Sequence, residues 1–536
     1  MQTKYIFMTG GVCSGLGKGI TAASLGRLLK ARGYRVTIQK FEPYINMFPG
    51  LLSPYQHGEI FVTEDGAESD LDLGHYERFI DENLSVNNSI SAGKVYWEVL
   101  NKERKGVFMG KTIQIIPHIT DAIKYYISGN HDADIVITEI GGTVGDFEIL
   151  PFLEAIRQFG EDIGFENAMY IHLTLVPFLD FAGEPKTKPS QHSVKELRSL
   201  GIRPDILVCR TPKPLGEEMR KKISQFCHVN QNCIIENTDA DCLYEVPLLL
   251  EKENFAQIVC GRLGLTPPPP DLTEWEALTQ IKPTQTVTIG LVGKYVELRD
   301  AYYSVTEAFK HAGIANRAKV NIEWIHAEEI NAHNAQERLH ALDGIILPGG
   351  YGERGADGLI HAIRYARESR KPTLAIGQGM QCALIEFARN VANNPEADSM
   401  EFNRETPSPI IVSIAANIEE DEKIAPLRKG AIPIKLAPDS LLAAAYGELL
   451  IYERFRHKYK INNLFRTLLL DNNLHLVGHS PDDQNIEAFE LPRETHPWFV
   501  AVQFHPEFKS RMTRPSPLFK AFVKSTLDSS IGTHTP

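Results

Sequence analysis

A glycine-rich segment near the start of the chain has the residue types of a phosphate-binding loop. Residues 10–19 (GGVCSGLGKG) follow a short apolar run and precede a segment with helical periodicity. In such a strand–loop–helix unit, backbone N–H groups bind phosphate oxygens and a lysine such as Lys18 reaches the outer phosphates. Two positions depart from the standard loop: Val12 stands at its first glycine, and Gly19 stands at the Ser or Thr that binds magnesium. The segment therefore predicts a phosphate site whose metal ligands lie elsewhere.

Carboxylates are the expected replacement, because Mg²⁺ prefers hard oxygen ligands. Glu139 follows the run DIVIT at residues 134–138, where a Walker-B-type acid belongs at the carboxyl edge of a parallel sheet. Asp70 and Asp72 form an Asp-Leu-Asp pair, whose spacing alone fits solvated loop acids equally well.

Alternating strands and helices must position these residues. Short β-branched runs at 5–8, 36–39, 287–293 and 344–347 alternate with helical patterns at 21–30 and 357–369. This alternation predicts an α/β fold with parallel sheets. A proline run begins at Pro267, so we expect a synthetase domain over 1–266, a semi-rigid linker over 267–286 and a second domain over 287–536. Residues 529–536 are predicted to fray.

The composition narrows the class of protein. The 536 residues are 43% hydrophobic and 23% charged, and 56 basic against 68 acidic residues give a net charge of −12. These values are typical of a globular chain without a general surface for nucleic acid or membrane. The seven cysteines include no CxxC pair, which disfavours a zinc site or a disulfide framework. With neither a signal peptide nor a long apolar run, the chain is predicted to be cytoplasmic.

Several long motifs resemble those of the CTP synthase family. They are SPYQHGE (53–59), DLDLGHYERF (70–79), QIIPH (114–118), EIGGTVGD (139–146) and KTKPSQH (186–192). Members of that family use ATP to phosphorylate the 4-oxygen of UTP, and ammonia then displaces the phosphate to give CTP. The resemblance implies a homotetrameric ligase that uses ATP and Mg²⁺, with a second domain like class I glutamine amidotransferases.

The resemblance also implies roles for individual residues. The catalytic residues would be Lys18, Lys40 and His57, and the magnesium ligands Asp72 and Glu139. ATP would be bound by Ser14, Gly15, Leu16, Gly17, Lys18, Gly19, Ile20 and Asp72. UTP would be bound by Ser14, Gln114, His118, Asp146, Glu148, Lys186, Thr187, Lys188, Gln191 and Lys222, the last placed through a variable stretch.

Part of the first half departs from the family. Glu42 stands at the family's aspartate, and residues 47–52 (MFPGLL) replace a segment that normally carries an acid and a hydroxyl. This segment lies beside Pro54, His57 and Ile60, whose counterparts line the family's ammonia passage. Neutral repacking and an altered route for the nitrogen donor are both consistent with the change.

The second half resembles a glutaminase without its nucleophile. Residues 347–355 resemble the oxyanion loop, including Gly350, and His505 and Glu507 resemble the family's base and its orienting acid. At residues 375–381 (AIGQGMQ) the family has GICLGMQ, so Gly377 stands at the cysteine. Cys382 is predicted to lie inside the following helix as a small buried residue. The remaining counterparts of glutamine-site residues are Gln381, Glu401 and Arg456.

Activation by GTP is not expected to survive. Residues 428–433 (RKGAIP) replace the family's lid segment for GTP activation, although Arg354 is retained.

Four functions remain open on the sequence. The chain could aminate UTP with ammonia taken from solvent, or join another amine or an amino acid held by Glu401 and Arg456 to the pyrimidine 4-position. It could also be a non-catalytic scaffold for a true CTP synthase, or a simple ATPase switch. The retained Lys18, Lys40, Asp72 and Glu139 count against the scaffold, and the pyrimidine-site motifs count against the switch.

Overall fold

A computed structural model describes residues 2–47, 49–129, 132–181, 183–414 and 427–533. Phe48, within the predicted apolar segment 47–52, lies outside the described residues. Contacts along the chain divide it into two compact units: Met1–Pro49 with Asp72–Thr279, and Gly50–Leu71 with Gln280–Pro536.

The strands, in chain order, are β1 Lys4–Gly10, β2 Val36–Glu42, β3 Phe61–Val62, β4 Glu68–Ser69, β5 Ser89–Ser91, β6 Ile135–Ile140, β7 Ala168–Leu175, β8 Phe178–Leu179, β9 Glu184–Pro185, β10 Ile206–Thr211, β11 Ile234–Thr238, β12 Gln285–Gly293, β13 Ala318–His326, β14 Gly344–Leu347, β15 Thr373–Ile376, β16 Ala397–Ser399, β17 Ser408–Ser413, β18 Arg428–Leu436, β19 Leu450–His457, β20 Tyr459–Ile461, β21 His475–His479, β22 Ile486–Glu490 and β23 Phe499–Val502.

The α-helices are α1 Lys18–Lys30, α2 Pro54–His57, α3 Asp72–Ile80, α4 Ala92–Arg104, α5 Thr120–Ser128, α6 Leu150–Ile163, α7 Lys188–Ser199, α8 Glu217–Cys227, α9 Val246–Lys252, α10 Phe255–Arg262, α11 Thr273–Thr279, α12 Tyr303–Asn316, α13 Ala335–Leu339, α14 Ala356–Glu368, α15 Gln378–Asn390, α16 Leu441–Tyr446, α17 Arg466–Asp471 and α18 Pro517–Thr533. A π-helical turn spans Ile115–Ile119.

The first unit is built on a seven-stranded sheet with the order β11-β10-β7-β1-β6-β2-β5. Every neighbouring pair in it is parallel. Its strands are apolar and β-branched because parallel sheets are covered by helices on both faces. One of these faces packs Phe7, Phe41 and Phe152 into a common core. The carboxyl ends of β1, β2 and β6 therefore lie side by side, which is where ligands bind in such sheets.

The second unit contains a nine-stranded sheet with the order β13-β12-β14-β15-β23-β22-β21-β18-β19. The strands from β13 to β23 are parallel, and the pairs from β23 to β19 are antiparallel. The predicted two-domain α/β class is confirmed. No helix of the described residues is long and apolar enough to cross a membrane.

The two compact units differ from the predicted domain limits in two places. Residues 50–71 group with the second unit because their carboxylates are bound there: Arg454 Nε lies 3.0 Å from Glu64 Oε2 and Arg456 Nε lies 2.8 Å from Glu68 Oε1. The expected linker over 267–286 instead contains α11, whose Trp275 is fully buried and donates to the Tyr244 carbonyl oxygen at 2.7 Å. Burying an indole ring stabilises the helix that carries it.

The predicted frayed tail was also partly wrong. Helix α18 continues from Pro517 to Thr533, and the last three residues lie outside the described part of the chain. Its buried side chains, among them Phe519 and Phe522, hold the helix in the core of the second unit.

Candidate active site

The predicted phosphate loop joins β1 to α1 in the first unit. Lys18 is the first residue of α1, and its Nζ donates to the Gly142 carbonyl oxygen at 2.9 Å. The loop that follows β6 is tied back to the phosphate loop, because Val144 N–H donates to the Gly10 carbonyl oxygen at 2.8 Å. Burial lowers the pKa of Lys18, and the nearby carboxylate of Glu139 opposes this shift. A partly desolvated ammonium at a helix N-terminus is suited to bind phosphate oxygens.

Lys40 joins the two predicted metal ligands in one charged cluster. Lys40 and Glu139 are register partners on β2 and β6, and Lys40 Nζ lies 3.1 Å from Glu139 Oε1. The same Nζ lies 2.5 Å from Asp72 Oδ2 at the start of α3. The Lys40 side chain is only 7% exposed. Burial alone would raise the pKa of Asp72, but Lys40, together with His75 and Lys18, outweighs burial and lowers that pKa.

The Asp72 carboxylate occupies the space that a hydroxyl-bearing residue would need in a standard loop. A Cβ atom added to Gly19 would lie 2.3 Å from Asp72 Oδ1. A Ser or Thr at this position would therefore collide with the carboxylate. The predicted exchange of a hydroxyl ligand for a carboxylate ligand is consistent with this geometry.

The residues present fit a magnesium ion in their chemistry. Asp72 and Glu139 supply hard oxygen ligands. Both carboxylates point towards the Lys40 ammonium, so positive charge is stabilised between them. Mg²⁺ usually takes one or two carboxylates together with phosphate and water oxygens. Among the described residues, no group of three or more His, Cys, Asp or Glu side chains could hold a metal ion.

Two further side chains belong to this cluster and were not predicted as site residues. The Tyr76 hydroxyl donates to Glu139 Oε2, and Tyr76 lies one helical turn after Asp72 on α3. Glu42 Oε2 lies 3.8 Å from Lys40 Nζ, and burial raises the pKa of this carboxyl. The spacing of Asp72 and Tyr76 on one helical face was the signal that could have revealed the tyrosine.

The lysines predicted for the UTP triphosphate lie on and before two neighbouring helices. Lys188 begins α7, and its Nζ lies 5.8 Å from the centre of the Phe226 ring on α8. Lys222 precedes Phe226 by one turn of α8. Lys186 bonds Glu184, whose pKa is lowered by Lys186 and, less strongly, by Lys222. Gln191 Nε2 donates to Thr187 Oγ1 at 2.9 Å, so these side chains form one polar group at the start of α7.

The residues predicted to contact the pyrimidine lie on two exposed segments of the first unit. Gln114 N–H donates to His118 Nδ1 at 3.2 Å across the π-helical turn, and the His118 ring packs edge-on against Phe108. Asp146 and Glu148 are exposed on the loop after β6. Ser14 is exposed on the phosphate loop itself. His57 ends α2 and belongs to the second unit.

Gly377 stands at a sharp turn between β15 and α15 in the second unit. Its backbone has φ 56° and ψ −112°, a conformation that side-chain-bearing residues rarely adopt. A Cβ atom added here would lie 3.5 Å from His505 Nε2. His505 Nδ1 in turn lies 2.8 Å from Glu507 Oε1. The turn, the predicted base and the predicted orienting acid therefore lie around a residue with no side chain.

The neighbouring cavity, of about 100 Å³, is lined by residues that include Gly350, Gln378, Gln381, Glu401 and Arg456. Gln378 Nε2 donates to the Gly352 carbonyl oxygen at 2.8 Å, and a Cβ atom added to Gly350 would lie 2.7 Å from Gln378 Oε1. The Gln378 side chain therefore fills the space beside the predicted oxyanion loop.

Lys294 contributes a further buried group beside this loop that the sequence did not indicate. Its Nζ donates to the carbonyl oxygens of Tyr351 and Gly352, at 3.1 and 2.5 Å. Burial lowers the pKa of this amine to about 8. Together with Gln378, Lys294 holds the loop through its carbonyl groups.

Arg456 and Glu401 are engaged within the second unit. Arg456 pairs with Glu68 at 2.8 Å, and both side chains are largely buried. Glu401 Oε1 accepts from Gly352 N–H at 2.7 Å. The charge of Arg456 is therefore already matched by a carboxylate, which weakens the hypothesis that it binds the carboxylate of an amino acid.

Cys382 is the cysteine that follows the turn at Gly377. It lies inside α15 and is fully buried, as predicted. Burial raises the pKa of its thiol to about 12, so the thiolate form is suppressed at neutral pH.

Comparison with known proteins gives two family matches and many full-length relatives. The family model described as CTP synthase N-terminus matches residues 4–265, and the model described as glutamine amidotransferase class-I matches residues 297–525. The CTP synthase of Ruminiclostridium cellulolyticum is 57% identical over 533 residues, covering 98% of this chain and 99% of that protein. The CTP synthase of Clostridium kluyveri is 55% identical over 534 residues, covering 99% of each chain. The CTP synthase of Caldanaerobacter subterraneus is 55% identical over 532 residues, covering 98% and 99%.

Proposed function

The chain belongs to the CTP synthase family, and we propose on this premise that it aminates UTP with ammonia taken from solvent instead of glutamine. The enzyme is a carbon–nitrogen ligase of that family. The observation that carries the choice of nitrogen donor is Gly377, which presents no nucleophile to the His505–Glu507 pair. Without a thiol no acyl-enzyme can form from glutamine, whereas ammonia needs none.

The first unit performs the phosphoryl transfer in this proposal. Lys18 binds the outer phosphates of ATP, and Lys40 stabilises the charge on the transferred group. Asp72 and Glu139 hold magnesium, which when bound would neutralise phosphate charge. The lysines at the start of α7 and on α8 bind the triphosphate of UTP. Phosphorylation of the 4-oxygen is required because a pyrimidine carbonyl oxygen is a very poor leaving group, and the attacking ammonia then expels phosphate.

The order of these steps makes ATP turnover depend on a uracil nucleotide. Phosphate release should therefore be seen with ATP and UTP together and be much slower with ATP alone. Equal rates with and without UTP would support an ATPase switch instead. Lys18→Ala should abolish the UTP-dependent rate, because it removes the positive charge that binds the outer phosphates of ATP.

The donor is tested by incubating the enzyme with ATP, UTP and each member of a panel of amines, with the products identified by mass. CTP from ammonium chloride is the expected product. An N4-substituted cytidine nucleotide, without CTP, would show that a larger amine is the donor. Absence of both products while UTP still binds would indicate a scaffold. We also propose a homotetramer, by family membership, which the mass of the particle in solution would test.

A further inference from the structure

A buried hydrogen-bonded chain lies directly behind the phosphate loop in the first unit. Thr9, near the end of β1, places Oγ1 2.8 Å from His172 Nδ1 on β7. His172 Nε2 lies 2.8 Å from Ser193 Oγ on α7. Thr9 and His172 are at most 1% exposed, and Ser193 is 6% exposed. No role assigned so far in the reaction uses these three residues.

These hydrogen bonds connect the phosphate loop, which is proposed to bind ATP, with helix α7, whose start is proposed to bind UTP. Thr9 lies two residues before Gly11, where the phosphate loop begins, and Gly11 N–H donates to the Leu173 carbonyl oxygen at 3.0 Å. A Cβ atom added to Gly11 would lie 1.7 Å from Ser193 Oγ, so the loop packs directly against this hydroxyl. Ser193 belongs to α7, whose first turn carries Lys188 and Gln191.

His172 is held in its neutral form, so one of its two hydrogen bonds is donated by the ring and the other is accepted by it. Burial, with a smaller contribution from the charge of Lys18, lowers the pKa of His172 to about 3. A neutral imidazole donates from one ring nitrogen and accepts at the other. One neighbouring hydroxyl must therefore accept from the ring while the other donates to it, and both are held at once.

We propose that His172 is a positioning residue that fixes the phosphate loop against helix α7, so that the ATP and UTP triphosphates are held at a set spacing for phosphoryl transfer. The inference rests on the proposed function, because it takes the start of α7 as the UTP site. In-line transfer depends on the separation of the reacting atoms, and a displacement of about 1 Å can cost about 100-fold in rate. A group that sets this spacing affects kcat more than the binding of either nucleotide alone.

Two substitutions each remove one of the two hydrogen bonds that His172 makes. A glutamine amide reaches about as far as Nε2, so His172→Gln retains the Ser193 contact and loses Thr9. An asparagine amide reaches about as far as Nδ1, so His172→Asn retains the Thr9 contact and loses Ser193. Thr174→Val is the matched control, because Thr174 lies two residues along β7 and bonds the same helix through Ser190 Oγ at 3.0 Å. This variant removes a buried hydroxyl from the contact between β7 and α7 but leaves the hydrogen bonds of His172 in place.

The measurement is UTP-dependent phosphate release by the full chain with saturating ammonium chloride, together with the thermal unfolding midpoint of each variant. Both His172 variants should lose about 10- to 100-fold in kcat, with KM for ATP and for UTP within about threefold of wild type. Thr174→Val should lower the unfolding midpoint comparably and keep kcat within about twofold.

Three results would overturn the inference. They are kcat within twofold of wild type in both His172 variants, an equal loss of kcat in Thr174→Val, and a rise in one KM with kcat unchanged. If the His172 variants do not fold, Ser193→Ala tests the same contact with a smaller change and should lower kcat about 3- to 10-fold. Wild-type enzyme without any UTP-dependent turnover would contradict the proposed function itself, and with it this inference.

Discussion

At the scale of single residues, Val12 has a left-handed backbone with φ 82° where a phosphate-binding loop usually has glycine. A β-branched residue in this region lowers the free energy of unfolding by about 1–3 kcal/mol. Glycine removes this strain, but it loses more backbone entropy on folding, which offsets about 0.5–1 kcal/mol of the gain. Val12→Gly should therefore stabilise the first unit by about 1 kcal/mol. Chemical denaturation of the wild type and of Val12→Gly measures this difference in the free energy of unfolding. Val12→Ala keeps a Cβ and should give little gain, so an equal gain from alanine would contradict the explanation.

Gly377→Cys should not restore glutamine hydrolysis. The new thiol would face His505, but Gln378 fills the space beside Gly350 and Arg456 is paired with Glu68. Neither the oxyanion nor the carboxylate of glutamine would have its usual partner. The measurement is glutamate release with ATP, UTP and GTP present. Release by this single variant at a rate near that of CTP formation would show that only the thiol was missing.

The candidate residues of the first unit were largely accessible from sequence, Lys18 and Glu139 because they follow strands of a parallel sheet and Lys40 and Asp72 only through the family resemblance. Lys18, Lys40, Asp72 and Glu139 were predicted as one site. In the structure Lys40 contacts Asp72 and Glu139, and Lys18 lies near enough to interact with their charges. The left-handed Val12 and the pairing of Arg456 with Glu68 were not predicted. Each depends on contacts between distant segments, which neither periodicity nor motif spacing encodes.

At the scale of secondary-structure elements, the junction of α1 and α3 explains why Gly19 lacks a side chain. Gly19→Ser restores the standard hydroxyl, yet its Cβ would lie 2.3 Å from Asp72 Oδ1, and Asp72 is bound by Lys40. We expect kcat/KM for ATP to fall about 100-fold, because either α1 or the carboxylate must move. The control is Gly261→Ala on α10, where an added Cβ has no heavy atom within 4 Å, and its activity should be unchanged. Full activity of Gly19→Ser would contradict this assignment of the two elements.

Element positions were predicted well where the pattern was local. The strand expected at 344–347 is Gly344–Leu347, and the helix expected at 21–30 is Lys18–Lys30, which begins earlier because its first turn is part of the glycine-rich loop. The grouping of residues 50–71 with the second unit could not be predicted, since it depends on Glu59, Glu64 and Glu68 finding partners more than two hundred residues away. Those carboxylates look like ordinary surface charges in the sequence.

At the scale of the whole molecule, the charged cluster around Lys40 lies in the first unit, and Gly377, at the turn between β15 and α15 of the second unit, has no side chain. If ammonia is taken from solvent, the reactive species is NH₃. The rate of CTP formation at fixed total ammonium should then rise with pH in proportion to the unprotonated fraction, as long as ATP and UTP are saturating. Rates measured at several pH values and several ammonium concentrations should fall on one curve when plotted against NH₃. Separate curves would show that ammonium or a titrating group of the protein controls the rate.

The source of the transferred nitrogen is tested most directly by isotope. The enzyme is incubated with ATP, UTP and magnesium, together with unlabelled ammonium chloride and glutamine labelled with ¹⁵N in its side-chain amide, and the CTP is examined by mass spectrometry. Because Gly377 leaves His505 and Glu507 without a nucleophile to activate, the CTP should contain no label, and it should become labelled when the isotope is placed in ammonium instead. CTP carrying ¹⁵N from glutamine would contradict the account.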